Sequence, residues 1–109
     1  AIALGADACG IGTAALLAMG CRLCRSCHTG RCAWGIATQR PELVRRLDPD
    51  EGAQRLVNLV TAWTNEITEL MGGMGINSVE ALRGNRLMLR GVGLNDRELQ
   101  ILGIRHAGE

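Results

Sequence analysis

The chain has 109 residues and a mass of 11.6 kDa, so its length allows at most one small domain. It is 47% hydrophobic, yet aromatic residues make up only 2% of it, and all of these are tryptophan. With few large side chains to fill a core, we expect it to be part of something larger, or to need a cofactor or partner. A net charge of +1 argues against a strongly basic nucleic-acid binder, and the absence of lysine excludes lysine chemistry.

The first twenty residues are mostly apolar, but they lack the pattern of a membrane span or a signal peptide. Asp7 and several glycines interrupt the apolar run, and no basic residue precedes it. A spanning helix needs about 20 apolar residues with few interruptions, and a signal peptide begins with positive charge. We therefore expect a cytoplasmic chain without a membrane span, whose first residue is an internal cut.

Residues 1–20 predict the strand, turn and helix of a βα unit. Residues 1–5 have the pattern of a helix end closed by Gly5. Residues 6–11, ADACGI, are short and apolar and suit a strand buried on both faces, with Cys9 as a small buried hydrophobe. The turn at Gly12 and Thr13 then leads into AALLAMG, a good helix start.

Residues 40–109 carry the signals of helices. Pro41 suits a first helical position, and Asp48 before Pro49 predicts a capping residue followed by a proline at the first helical position. A single apolar stripe then recurs at steps of three and four residues, which predicts a helix of about six turns ended by glycines. The stripe consists of Ala53, Leu56, Val57, Val60, Trp63, Ile67, Leu70 and Met74.

Two shorter helices are predicted after the long one. Ser78 is placed to cap a short segment, VEALRG. Farther on, Asn95 and Glu98 have the spacing of a capping box, with Leu94 and Leu99 placed as its hydrophobic staple. Residues 40–109 are therefore predicted to form a mainly helical extension.

The strongest chemical signal is a group of four cysteines within twelve residues, in a region, residues 21–39, that has little periodicity. They are Cys21, Cys24, Cys27 and Cys32. A cytosolic chain disfavours disulfides, and closely spaced cysteines there are more often redox or metal sites. Zinc domains usually separate two C-x-x-C pairs by a dozen or more residues, whereas ferredoxin-type runs compress their ligands into one loop. The spacing favours an iron–sulfur cluster and leaves zinc as the alternative.

Basic residues lie between these cysteines. Arg22, Arg25 and Arg31 could stabilise a net negative thiolate cluster, although plain solvation explains them equally well. His28 directly follows a cysteine, and we expect it to hydrogen-bond near the cluster rather than to ligate it.

The glycine turn before the first helix is a candidate phosphate site. It comprises Gly10, Gly12, Thr13 and Ala14. Glycine lets backbone amides approach a phosphate closely, and a helix start adds unpaired N–H groups with a positive dipole end. Tight βα turns also contain glycine for packing alone, so the motif by itself is weak.

Residues 5–43, GADACGIGTAALLAMGCRLCRSCHTGRCAWGIATQRPEL, resemble the C-terminal part of the FMN-binding domain of glutamate synthase large subunits and their shorter archaeal-type relatives. That family carries a strand ending in G-x-G-T-A, a helix, a cysteine loop with Cys-His, and a final C-P-x-G-[IV]-A-T-Q. The matching residues are Cys27, His28, Cys32, Gly35, Ile36, Ala37, Thr38 and Gln39.

The resemblance implies a fold and a set of ligands. The expected architecture is α/β: residues 1–20 as the last βα unit of a (β/α)8 barrel, residues 21–39 as an iron–sulfur loop and residues 40–109 as a helical extension. Gly12 and Thr13 would give amides to the FMN phosphate, and Cys21, Cys27 and Cys32 match the three ligands of a [3Fe-4S] cluster. Cys24 is an additional cysteine that makes a [4Fe-4S] cluster possible. Ala33 replaces the usual proline, which loosens the loop.

The resemblance also implies an enzyme and its partners. In the family, electrons pass through the cluster to flavin for the reductive amination of 2-oxoglutarate to glutamate. The rest of the FMN barrel must come from the same or another chain, since a barrel needs about 200–250 residues. Further partners would be glutaminase or ammonia-supplying subunits and an electron-donor subunit or ferredoxin. A zinc-binding or structural-cluster module without activity of its own is the alternative, and nucleic acid is not an expected partner.

Overall fold

The computed structural model describes residues 1–109 and contains five α-helices and a two-stranded sheet. The helices are α1 (Thr13–Ala18), α2 (Pro41–Val44), α3 (Pro49–Gly73), α4 (Val79–Leu82) and α5 (Asp96–Leu102). The strands are β1 (Arg90–Gly91) and β2 (Arg105–His106). The chain divides into two compact units, one of residues 11–65 and the other of residues 1–10 and 66–109.

The strand predicted over residues 6–11 does not form, so the prediction of a complete βα unit is wrong for this structure. A strand exists only where a neighbouring strand takes up its backbone hydrogen bonds, and no segment of this chain pairs with residues 6–11. Cys9 is consequently exposed rather than buried. Residues 1–5 form a turn instead of a helix end, in which the Gly5 N–H donates to the Ile2 carbonyl at 2.9 Å.

The long helix α3 confirms its predicted start and end. Asp48 Oδ1 accepts the backbone N–H groups of Asp50 at 2.9 Å and Glu51 at 3.3 Å, as an N-cap does. The helix runs for 25 residues and ends at the glycines 72 and 73.

The apolar stripe of α3 is present but largely uncovered. The exposed fraction is 56% for Val57, 57% for Val60, 50% for Ile67 and 67% for Leu70. Leu56, Trp63 and Met74 are half-buried, and Met71, which lies outside the predicted stripe, is 7% exposed. Burial of apolar surface is the main stabilising term in folding, so most of this helix face contributes little within the chain itself.

Local capping signals in residues 66–109 are also confirmed. Ser78 accepts the Ala81 N–H at 3.2 Å and begins α4. At α5, Asn95 Oδ1 accepts the Glu98 N–H at 3.0 Å, while the Glu98 carboxylate accepts the Asn95 N–H at 2.8 Å. Both halves of the predicted capping box are therefore formed.

Helix α5 connects the two strands, which pair in parallel with Arg90 opposite Arg105 and Gly91 opposite His106. Gly91 is buried, and a β-carbon there would overlap the Leu99 side chain of α5. The absence of a side chain at position 91 thus lets the helix pack directly on the strand.

The buried part of the chain is small. The buried apolar residues are Ala3, Cys32, Met71 and Leu99, and Thr38 is the one buried polar residue. No large side chain is fully buried. This agrees with the expectation that 109 residues with so few aromatic side chains build only a thin core. None of the helices has both the length and the apolar character that crossing a bilayer requires.

Candidate functional site

Residues 21–39, called the cysteine loop below, form the irregular segment that the sequence predicts. Their one regular feature is a single 3-10 turn, Cys27–Thr29. Between the first cysteines, Leu23 and Arg25 have left-handed φ values of 55° and 58°. Side chains other than glycine rarely adopt this conformation, because the Cβ atom crowds the backbone. Two residues between Cys21 and Cys27 therefore adopt an unfavourable left-handed backbone conformation.

Cys32 has the most developed surroundings of the four cysteines. Its exposed fraction is only 4%. The pKa of its thiol lies below the ordinary value of 9.0, chiefly because the Ala37 N–H donates to the sulfur. Burial acts in the opposite direction, and the N–H groups of Trp34, Ile36 and Gly35 add to the lowering of the pKa. Thiolate is the form that ligates metals, so these backbone N–H groups favour the form of Cys32 that can ligate a metal.

The other three cysteines are more accessible. Cys21 is half-buried, and its sulfur accepts the Leu23 N–H at 3.4 Å. Cys24 and Cys27 are exposed, and none of the cysteines forms a disulfide. No three metal-ligating side chains converge on one point. The structure thus gathers the four predicted ligands in one loop, without bringing their sulfurs to a common centre.

The cysteine loop and the residues that follow it are strongly basic. Residues 21–47 contain six arginines and a single carboxylate, Glu42. The ion pairs of the chain join Arg55 to Glu51 and Arg83 to Asp7, so no carboxylate pairs with an arginine of the loop. A concentration of unpaired positive charge favours a net negative ligand such as a thiolate cluster.

Aromatic and basic side chains meet at the end of the loop. The Arg22 guanidinium lies over the Trp34 ring, 5.6 Å from its centre. Arg46 Nη1 donates to the Ala33 carbonyl at 3.0 Å. This bond ties the loop at Ala33 to the residues that follow α2. His28 is exposed within the 3-10 turn, and its expected hydrogen-bonding role stays a prediction.

Thr38 is a site residue to which the sequence alone assigned no role beyond its match to the A-T-Q pattern. It is buried, and its Oγ1 donates to the Gly30 carbonyl at 2.6 Å. The same oxygen accepts the Arg40 N–H at 3.2 Å. The only sequence signal for this role is that a polar residue directly follows the apolar pair Ile36 and Ala37. If such a hydroxyl is buried, it must find hydrogen-bond partners.

The candidate phosphate residues lie where α1 begins. Gly12 is the N-cap and offers no side-chain hydrogen bond to the first turn. A β-carbon at Gly10 or Gly12 would meet nothing within 4 Å, and both glycines and Thr13 are exposed. The backbone at this turn is therefore open to a ligand, which is what a phosphate-binding turn requires.

The donor chemistry of the cysteine loop fits an iron–sulfur cluster. It offers four thiols, all unpaired, and one of them is buried among backbone N–H groups of the kind that hydrogen-bond cluster sulfurs. Because the thiols do not converge, ligation requires the exposed cysteines to close around the metal centre.

Comparison with known proteins gives consistent matches. The family model for a conserved region in glutamate synthase matches residues 1–77. The archaeal glutamate synthase [NADPH] of Methanocaldococcus jannaschii is 70% identical over the whole chain, and that of Archaeoglobus fulgidus is 66% identical. The archaeal-type glutamate synthase [NADPH] of Thermotoga neapolitana is 63% identical, again over the whole chain. No solved structure matches the chain significantly.

These relatives are much longer than the chain. The chain covers 21% of the length of the first two relatives and 22% of the third. The family match covers most of the chain, including the candidate phosphate turn and all four cysteines of the loop. The chain therefore belongs to the glutamate synthase family and spans about a fifth of the length of the curated relatives it matches.

Proposed function

We propose that this chain forms part of an FMN- and iron–sulfur-dependent oxidoreductase of the glutamate synthase type. The observation that carries the proposal is the cysteine loop, in which Cys32 lies buried among backbone amides and three further thiols follow ligand-like spacing. The loop occurs in a chain that is 70% identical to an archaeal glutamate synthase. Activity then requires the barrel residues that this chain does not contain.

The proposed ligands of the cluster are Cys21, Cys24, Cys27 and Cys32. Cys32 supplies a thiol that is already biased toward thiolate, and the exposed Cys24 and Cys27 are free to move toward the metal centre. The unpaired loop arginines offset the negative charge of four thiolates. An iron–sulfur cluster held by these residues would supply one-electron transfer toward a flavin, the chemistry that the reductive amination of 2-oxoglutarate would need.

The open turn at the start of α1 is proposed as part of the FMN phosphate site. Gly12 and Thr13 would direct backbone N–H groups at the phosphate, with Gly10 and Ala14 lining the turn. The barrel that would complete this site belongs to the rest of the glutamate synthase. The proposed further partners are the ammonia-supplying part of the enzyme and an electron donor. The names of the relatives above include NADPH, which supports a pyridine nucleotide as the source of electrons.

The test is iron and acid-labile sulfide analysis, with electron paramagnetic resonance, of the chain prepared without oxygen. We expect iron and sulfide in comparable amounts and a visible absorption that dithionite bleaches. The matched control is Cys9→Ser, because Cys9 is an exposed cysteine outside the loop and its loss should leave the iron content unchanged. A colourless protein that holds stoichiometric zinc would contradict the proposal and favour a zinc-binding module.

A further inference from the structure

The segment from Gly30 to Thr38 is a closed loop. Its ends are joined by the 2.6 Å hydrogen bond from the Thr38 hydroxyl to the Gly30 carbonyl. The same hydroxyl accepts the Arg40 N–H at 3.2 Å, so Thr38 fixes the chain on both sides of its own position. Thr38 is 8% exposed and is therefore shielded from competing water.

This closed segment contains Cys32 and the amides that surround its sulfur. The Gly35 N–H donates to the Cys32 carbonyl at 3.2 Å, which turns the chain back at the cysteine. The backbone N–H groups of residues 34–37 lower the pKa of the Cys32 thiol, which is 4% exposed. The last of these residues, Ala37, directly precedes Thr38 in the chain. The segment contains no helix or strand, so side-chain bonds hold it. Arg46 ties Ala33 to the residues that follow α2, and the Thr38 hydroxyl bond is the one that joins the two ends of the segment.

We propose that Thr38 is a positioning residue whose hydroxyl holds the segment of residues 30–38 closed around the Cys32 sulfur. The inference rests on the proposed function only where it concerns iron, because the closed segment is present in the metal-free chain. Thr38 does not touch the metal centre and acts through Cys32 and its amides. Opening the segment exposes the sulfur and removes hydrogen bonds from it.

Two measurements follow from this role. In the metal-free chain, the rate at which iodoacetamide alkylates Cys32 reports how often the segment opens, and peptide mass spectrometry identifies the labelled cysteine. In the iron-loaded chain, the midpoint potential reports hydrogen bonds to the cluster sulfurs. N–H groups stabilise the more negative reduced state, so losing them shifts the potential to a more negative value.

The test compares Thr38→Val, Thr38→Ser and Thr64→Val. Valine keeps the size of threonine but removes the hydroxyl, so we expect Cys32 to be alkylated about fivefold faster, the factor for one hydrogen bond of about 1 kcal/mol. We also expect a more negative midpoint potential. Serine keeps the hydroxyl and should restore both values. Thr64 donates to the Val60 carbonyl on α3, so Thr64→Val removes a comparable hydroxyl away from the loop and should change neither value.

Each outcome decides a separate point. Wild-type alkylation and potential in Thr38→Val would overturn the proposal. If Thr38→Val fails to fold, Thr38→Ser decides, because a serine variant that also fails shows that the methyl group rather than the hydroxyl is needed. If the wild-type chain takes up no iron, the proposed function fails, while the alkylation rates still test the positioning role.

Discussion

A β-carbon on Gly35 would lie 2.7 Å from the carbonyl oxygen of Leu43 and 2.9 Å from the backbone nitrogen of Leu47. Gly35 has a φ of +77°, which a side chain also disfavours. Position 35 therefore combines a left-handed turn with a close approach to the backbone around α2. The same residue contributes one of the amides that surround Cys32, so packing of the loop and preparation of its thiol depend on one glycine.

We predict that Gly35→Ala destabilises the chain by about 2–4 kcal/mol, through backbone strain and a steric clash together. The matched control is Gly84→Ala, which has a similar φ of +69° but open space around the added methyl group. The control should lose only the strain contribution of about 1–2 kcal/mol. Urea unfolding of both variants measures the difference, and equal losses would show that the contact with Leu43 is unimportant.

Cysteine substitutions should separate the two cluster types. With four ligands, we expect about four irons per chain, and Cys24→Ser should lower the ratio to about three because three thiolates hold a [3Fe-4S] cluster. Cys32→Ser should lose most of the iron, since serine removes the sulfur that the loop already surrounds with amides. Iron analysis and electron paramagnetic resonance measure both effects. An unchanged ratio in Cys24→Ser would mean that Cys24 is not a ligand.

Iron loading should stabilise the chain. A ligand that binds the folded state adds stability in proportion to the logarithm of its concentration relative to its dissociation constant. Because no large side chain is fully buried, we expect this contribution to be large compared with that of the core. We expect the melting temperature to fall when a chelator removes iron from the chain, as followed by circular dichroism. An identical melting curve for both forms would argue against a site within the folded chain.

The capping box of α5 should contribute measurably to the free energy of unfolding. Asn95→Ala removes the side-chain acceptor for the Glu98 N–H, and we expect a loss of about 1 kcal/mol. Asn58→Ala is the matched control, because Asn58 is exposed in the interior of α3, where alanine is the better helix former. It removes one exposed side-chain bond, from Gln54 at 2.9 Å, but no cap. Thermal unfolding distinguishes the two, and a control variant as unstable as Asn95→Ala would contradict the capping role.

Features that depend on neighbours in sequence could be predicted from the sequence. The caps at Asp48, Ser78 and Asn95 each involve hydrogen bonds to residues two or three positions later, and all three are formed. The length of α3 followed from its apolar spacing and the glycines that end it. The little periodicity of residues 21–39 predicts an irregular cysteine loop, and its one regular feature is the 3-10 turn Cys27–Thr29.

Features that depend on distant partners could not be predicted in the same way. The strand expected at residues 6–11 needs neighbouring strands, and apolar composition alone does not supply them. The exposure of Cys9 follows from the same cause. At the candidate site, cysteine spacing indicated the ligands, but the burial of Cys32 and the role of Thr38 arise from how residues 30–38 turn back on themselves.

The uncovered apolar face of α3 has a practical consequence for work with this chain. Four large aliphatic side chains on this face are at least half exposed, which favours self-association of the chain as its concentration rises. We therefore expect the mean particle size, measured by light scattering, to rise with protein concentration.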